Sequence, residues 1–178
     1  QRDQIRADGK IPVLSQKLAI AHTLKDKVLV ELEARGIKLS GESEKTVQWT
    51  SPGGVQCEGT LDHWIEKSAT ILDLKFTGMS AAPESVARLM VNMGADIQSA
   101  AYTQAMATLH PQLAGRIKFL FVYIEVEAPH ALSVVRPGGA MRHLGESKWS
   151  RASELWAKYL AEFGTENPWP GYSTEIVD

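Results

Sequence analysis

Gly59-Thr60-Leu61-Asp62-His63-Trp64-Ile65-Glu66-Lys67-Ser68-Ala69-Thr70-Ile71-Leu72-Asp73-Leu74-Lys75 is the stretch whose reading decides the fold. Val55 to Ile65 and Ala69 to Thr77 are both strand-like, and the polar Glu66-Lys67-Ser68 between them reads as the turn of an antiparallel hairpin. With the turn centred on Lys67-Ser68, Glu66 faces Ala69, and counting back in equal steps sets Asp62 opposite Asp73. Directly opposed residues have Cβ atoms about 4.5–5.5 Å apart, a separation at which two carboxylates repel unless a cation lies between them. Lys75 joins the same face because side chains alternate along a strand with a period of two. Leu72, Leu74 and Phe76 fall on the other face, where core is expected. A turn without Gly or Asn is poor type I′ material, but any even-length loop on the same centre preserves the pairing. An odd-length loop or a bulge would break it.

The flanking sequence extends this hairpin into a layered α/β (α+β) domain. From Leu14 to about Gly36, apolar residues at Leu14, Leu18, Ala21, Leu24, Val28 and Leu32 recur at three- and four-residue steps, the mark of an amphipathic helix. Ser15 is its candidate N-cap and Gly36 its C-cap. Glu44 to Ser51 has strand character and leads through the turn Ser51-Pro52-Gly53-Gly54 into the hairpin. A helix is expected from Ser80 to Asn92, opening on Pro83-Glu84 and closing near Gly94. A second follows from Ile97 to Leu109, with Asp96 as candidate cap and His110-Pro111 as its stop. The apolar run within Arg116 to Glu127 reads as a central strand and Leu132 to Val135 as its short partner. Gly138 to Phe163 reads as helix, Pro168-Trp169-Pro170-Gly171-Tyr172 as an irregular tail, and Gln1 to Lys10 as frayed. The order is αβββααββα, a central mixed β-sheet flanked by helices.

Composition bounds the function classes. The chain has 178 residues, 44% hydrophobic and 22% charged, with no repeat or linker, so residues 1–178 read as one domain. Its start at Gln1 without an initiator Met leaves open a C-terminal fragment of a longer chain. The net charge of −2 argues against a nonspecific DNA coat, so nucleic-acid affinity would have to come from a local patch or a bound metal. The single Cys57 excludes an intrachain disulfide, suits a reducing cytoplasm, and reads as a core thiol on its strand. No apolar run approaches the ~20 residues of a membrane span.

Asp-x-Lys alone is weak evidence. In the looser form acid-x-Lys it recurs as Asp8-Gly9-Lys10 and Glu146-Ser147-Lys148. Only Asp73 and Lys75 sit in an apolar strand, where two charges are costly unless paired or bound to a metal. The plain alternative is an edge-strand pair of solvated charges with Asp62 in a loop. Gln98-Ser99-Ala100-Ala101-Tyr102 adds an amide and a phenol at i and i+4 on one helix face.

Gly-x-x-Asp, Asp-x-Lys and Gln-x-x-x-Tyr, in this order, resemble the PD-(D/E)XK nuclease superfamily, in the branch of RecB-type domains and RecE-like phage exonucleases. The wider frame from Gly9-Lys10-Ile11-Pro12-Val13-Leu14 through Glu44 and Trp49 looks most like the RecE-like group, and the resemblance covers roughly residues 9 to 127. It implies a restriction-endonuclease-like core and a Mg²⁺- or Mn²⁺-dependent deoxyribonuclease. Asp62, Asp73 and the carbonyl of Leu74 would ligate the metal; Lys75 would orient or help deprotonate the attacking water; Gln98 and Tyr102 would position the strand or the water. It further implies action on double-stranded DNA ends in phage-type recombination, a single-strand annealing protein as partner, a homo-oligomer and a cytoplasmic setting. The branch adds a His or Glu from a helix preceding the sheet. His22, Glu31 and Glu44 are the candidates here, unless that residue lies upstream of Gln1. Glu44 aligns best and stands open between supporting the metal site and lying on a solvated surface. A structure-specific or restriction-type endonuclease, or a catalytically inert DNA- or partner-binding module on the same fold, are the alternatives.

Other residues take plainer readings. His63 adjoins Asp62 but points to the opposite face, and Glu125 and Glu127 read as solvated at a strand end. Arg136, Arg142, His143, Lys148 and Arg151 make the C-terminal region locally basic, a phosphate patch or a solvated helix face. Trp149, Trp156 and Tyr159 suit a core-facing helix stripe better than a base-stacking platform.

Overall fold

The computed structural model describes residues 2–171, so the Tyr172 end of the tail lies outside it. Five strands, β1 (Glu42–Thr50), β2 (Gln56–Ile65), β3 (Thr70–Thr77), β4 (Lys118–Glu125) and β5 (Leu132–Val135), form one sheet in the order β1-β2-β3-β4-β5. Neighbours run antiparallel except β3 and β4, which are parallel. A parallel pair needs a crossover, supplied here by α3 (Pro83–Asn92) and α4 (Ala95–Leu109). The remaining helices are α1 (Arg2–Ala7), α2 (Ser15–Ala34) and α5 (Gly139–Phe163).

Alternation along the central strands feeds two cores. Ile71, Phe121 and Tyr123 join Val47, Trp49, Leu61 and Trp64 with Ala105 and Met106 of α4. On the other face, Ile65, Leu72, Val122 and Ile124 pack against Leu24, Val28 and Leu32 of α2. A strand covered on both faces reads as a continuous apolar run, which accounts for Phe119-Leu120-Phe121-Val122-Tyr123-Ile124.

The structure corrects several expectations. Residues 2–7 form a short helix where fraying is expected, so the order gains an element at its start. Ser15 is the first helical residue of α2; the cap position falls to Leu14, without a side-chain cap bond. Only the second half of the α2 stripe is buried: Leu14 is 68% and Leu18 49% exposed. On β3 the cover reaches Leu72 but not Leu74 and Phe76, which are 38% and 58% exposed although their β4 partners Val122 and Ile124 are fully buried. Asp96 is not a cap either, since Gly94 with φ 70° precedes the helix and Asp96 is fully buried within its first turn.

Pairing across the chain removes other groups from solvent. Lys148 of α5 meets Asp96 at 2.7 Å, and Glu125 accepts the Ala81 N–H at 2.8 Å. Trp149 packs on the first core, whereas Trp156 is 54% exposed and meets Trp169 edge-on at 4.7 Å.

Candidate active site

The hairpin holds the register that its polar turn sets. His63 pairs with Leu72, Trp64 with Ile71 and Ile65 with Thr70. The loop between them, residues 66–69, is even in length, with Ala69 in the left-handed region at φ 49° and its N–H on the Glu66 carbonyl at 3.0 Å. One step further the same register would set Asp62 beside Asp73, but regular pairing stops at His63 and Leu72. Asp62 Oδ2 instead accepts the N–H of Leu74 at 2.7 Å. A side-chain carboxylate therefore takes the place of a backbone carbonyl at the end of the ladder, and β2 parts from β3 there.

Asp62 also sits at an irregularity between β1 and β2. Ser43 pairs with His63 and Lys45 with Leu61, leaving Glu44 across from Asp62 with φ 52°. Leu61 and Trp64 share one core although strict alternation would put them on opposite faces. The alternation slips at Asp62, the kind of local break found beside active sites. In register Glu44, Asp62 and Asp73 thus form one row across three strands, but Glu44 is exposed.

Asp73, 3% exposed, is the buried acid of the group. Its Oδ1 lies 2.5 Å from Lys75 Nζ as an ion pair without hydrogen-bond alignment. Its Oδ2 accepts from Gln98 Nε2 at 2.7 Å. Burial pushes its carboxyl upward from the usual range, Lys75 pulls it down, the Asp62 charge raises it and the Gln98 bond lowers it. The structure thus brings Asp62, Asp73, Lys75 and Gln98 together.

Tyr102, one helical turn beyond Gln98, lies over Gly59. A Cβ added to Gly59 would stand 2.6 Å from the ring and 2.9 Å from the hydroxyl. The glycine of Gly-x-x-Asp is therefore the seat of the tyrosine of Gln-x-x-x-Tyr. Burial raises the Tyr102 phenol, as do the Asp73 and Asp62 charges, against a hydrogen bond to the Thr60 backbone. Gly59→Ala is expected to displace the ring, for a stability cost of about 1–3 kcal/mol read by urea denaturation. In Tyr102→Ala the added methyl finds room, so the double variant should be no less stable than Tyr102→Ala alone. Additive losses would show that the two residues act independently.

Tyr123, 2% exposed in the same core, has its phenol pushed up to about 12 by burial and then by the Asp73 charge. A phenol raised above its ordinary 10.0 contributes stability that is whole below pH 10 and lost as pH rises through 12. The two-unit difference corresponds to about 2–3 kcal/mol. Urea denaturation at pH 9 and pH 12 should show this loss in the native chain and a smaller one in Tyr123→Phe; equal losses would refute the assignment.

The other candidates lie elsewhere. His22 is exposed on α2, and Glu31 is ion-paired to Arg35, on the helix that covers the opposite face of the sheet. His63 shares a hydrogen bond with Ser43 across the β1 pairing at 2.8 Å, and burial lowers its pKa. Gln104 was not singled out from sequence, yet its Oε1 accepts the indole N–H groups of Trp49 and Trp149 at 3.0 and 3.2 Å. Partly buried indoles need such an acceptor, but the pairing joins residues 45 or more apart in the chain.

Among the described residues no group of three His, Cys, Asp or Glu side chains is arranged to hold a metal ion. Two carboxylates suffice for Mg²⁺, which keeps several waters and binds through one or two of them. Asp62 and Asp73, hard oxygen donors beside one another where β2 and β3 part, fit that chemistry.

No protein-family model and no curated protein matches the sequence. A crystal structure from Eubacterium rectale, of a protein designated an exonuclease by inference, is similar in fold with a TM-score of 0.54 at 13% identity. The match covers 76% of this chain and 53% of that one, so this chain spans about half the length of its neighbour. What the two share is the fold, an α+β core with a mixed sheet flanked by helices. Among the described residues no helix is long and apolar enough to cross a membrane.

Proposed function

We propose that this chain is a metal-dependent deoxyribonuclease of the PD-(D/E)XK type, hydrolysing phosphodiester bonds at double-stranded DNA ends. The observation that carries the reading is the buried Asp73 carboxylate, held between Lys75 and Gln98 beside Asp62 where β2 and β3 part. The fold shared with an inferred exonuclease supports it. Mg²⁺ or Mn²⁺, bound by Asp62, Asp73 and the Leu74 carbonyl, would supply Lewis-acid stabilisation of the charge developing on the phosphate. Lys75, 30% exposed and anchored to Asp73 as an ammonium, would orient the attacking water through its remaining N–H donors. Gln98 fixes the Asp73 carboxylate, and Tyr102 borders the strand's path over β2. The reading extends, through the family resemblance, to recombination at phage-type DNA ends, a homo-oligomer and an annealing protein as partner.

The test is incubation of linear and covalently closed circular duplexes with Mg²⁺, using the native chain and Asp73→Asn. Degradation of linear DNA alone, lost in the variant, is the expected result. Cutting of closed circles would replace the exonuclease by an endonuclease, and binding without turnover would leave an inert module.

A further inference from the structure

On the side of α4 away from Asp73, Ser99 and Thr103 help line a recess of about 830 Å³ between the start of β4, the end of β5 and the first turn of α5. Four cationic residues line it: Arg116 before β4, Lys118 at its first position, Arg136 after β5 and Arg142 in α5. None of the four makes an ion pair or side-chain hydrogen bond among the described residues. The one acid at the wall is Glu146. In a chain of net charge −2, four solvent-exposed cations without ion-pair partners around one concavity make a local positive field that attracts anions.

The floor is suited to the same ligand. Gly138 and Gly139 open α5 with no side-chain cap and no acid in the first turn, and a Cβ at either would meet nothing within 4 Å. The uncapped N-terminus of a 25-residue helix thus borders the recess, and its positive pole favours an anion there. Arginines add the planar donor fork that matches phosphate oxygens.

We propose that this recess binds phosphate groups of a nucleic-acid strand. Lys118 is aligned with Thr70, three residues from Asp73, so the recess opens about 10 Å along β3 from the carboxylates. That spacing gives a strand a second hold beyond the bond being cut, a role that rests on the nuclease reading; phosphate recognition itself does not.

Binding is measured by fluorescence anisotropy of a labelled 20-nucleotide single strand without divalent cation, so that no turnover enters. Arg136→Gln/Arg142→Gln should weaken binding about tenfold or more. It should also flatten the slope of log K against log salt by about 1.4, at about 0.7 per phosphate contact on a single strand. Arg116→Gln, on a different loop, should act in the same direction, and Lys17→Gln/Lys38→Gln, an equal charge loss elsewhere, should not. Unchanged thermal unfolding separates these effects from misfolding. Equal affinity and slope in the native and variant chains would overturn the proposal. So would variants that lose only inorganic phosphate or dAMP, read by calorimetry, while keeping the strand. Failure of the nuclease reading appears separately, as intact strand binding with no hydrolysis when Mg²⁺ is added.

Discussion

Asp73→Asn is expected to lower hydrolysis of linear duplex DNA by about 10³-fold in the presence of Mg²⁺, the scale on which loss of a charge-stabilising group acts. The substitution keeps shape and the Gln98 contact in reach while removing the charge that would bind the ion and anchor Lys75. It should not unfold the protein. Burial is the largest influence on Asp73 and raises its carboxyl above 3.8, so the acid contributes stability below that pH and loses it as pH rises through its folded value. At neutral pH the amide is free of this desolvation cost. Thermal unfolding at pH 7 should therefore show the variant at least as stable as the native chain. A loss in rate under tenfold would remove Asp73 from the chemistry.

Lys148→Ala should cost about 3 kcal/mol of folding stability without touching the site. Asp96 is 0% exposed and Lys148 is its ion-pair partner at 2.7 Å, itself 35% exposed. The other Asp96 oxygen has no hydrogen bond, so the lysine is what compensates that buried charge. Removing one member of a buried pair leaves an uncompensated charge, typically 3–5 kcal/mol, taken here at the lower end because Lys148 is partly solvated. Repacking offers little relief. Gly145 already lies so close that an added Cβ would stand 2.2 Å from the Asp96 carbonyl oxygen. For a domain of this size the shift in Tm is about 6–12 °C. Asp96→Asn/Lys148→Met should recover much of it, since a neutral pair leaves no orphan charge; a loss under 1 kcal/mol in Lys148→Ala would show the pair to be dispensable.

The hairpin was legible because its information is local. A polar turn between two strand-like runs fixes a register, and period two carries it to Asp62 and Asp73. Gln98 was legible through its i, i+4 spacing with Tyr102 on α4, the second helix after the hairpin. Leu74 and Phe76 were misread because alternation says which face a residue takes but not whether anything covers that face; α2 covers their β4 neighbours Val122 and Ile124 and leaves them open. Lys148 looked solvated because its partner lies 52 residues away on another helix. The basic residues of the C-terminal region were visible as composition, but their convergence with Arg116 and Lys118 depends on the fold. The slip in alternation at Asp62 left no mark in the sequence, since neither Glu44 nor Asp62 is a residue that demands it.

Where β2 parts from β3, the last rung is a side chain, and a rung of that kind can be let go. Asp62 Oδ2 holds the Leu74 N–H with the same carboxylate that an ion would claim. Charge drawn toward an ion would be withdrawn from that hydrogen bond, and occupancy of the site would then be linked to the seam between the two strands. The Leu74 amide becomes an internal gauge: its hydrogen exchange should quicken when Mg²⁺ is added, and it should be fast at all Mg²⁺ concentrations in Asp62→Ala. Exchange that ignores the ion in the native chain would show that the seam and the site are not joined.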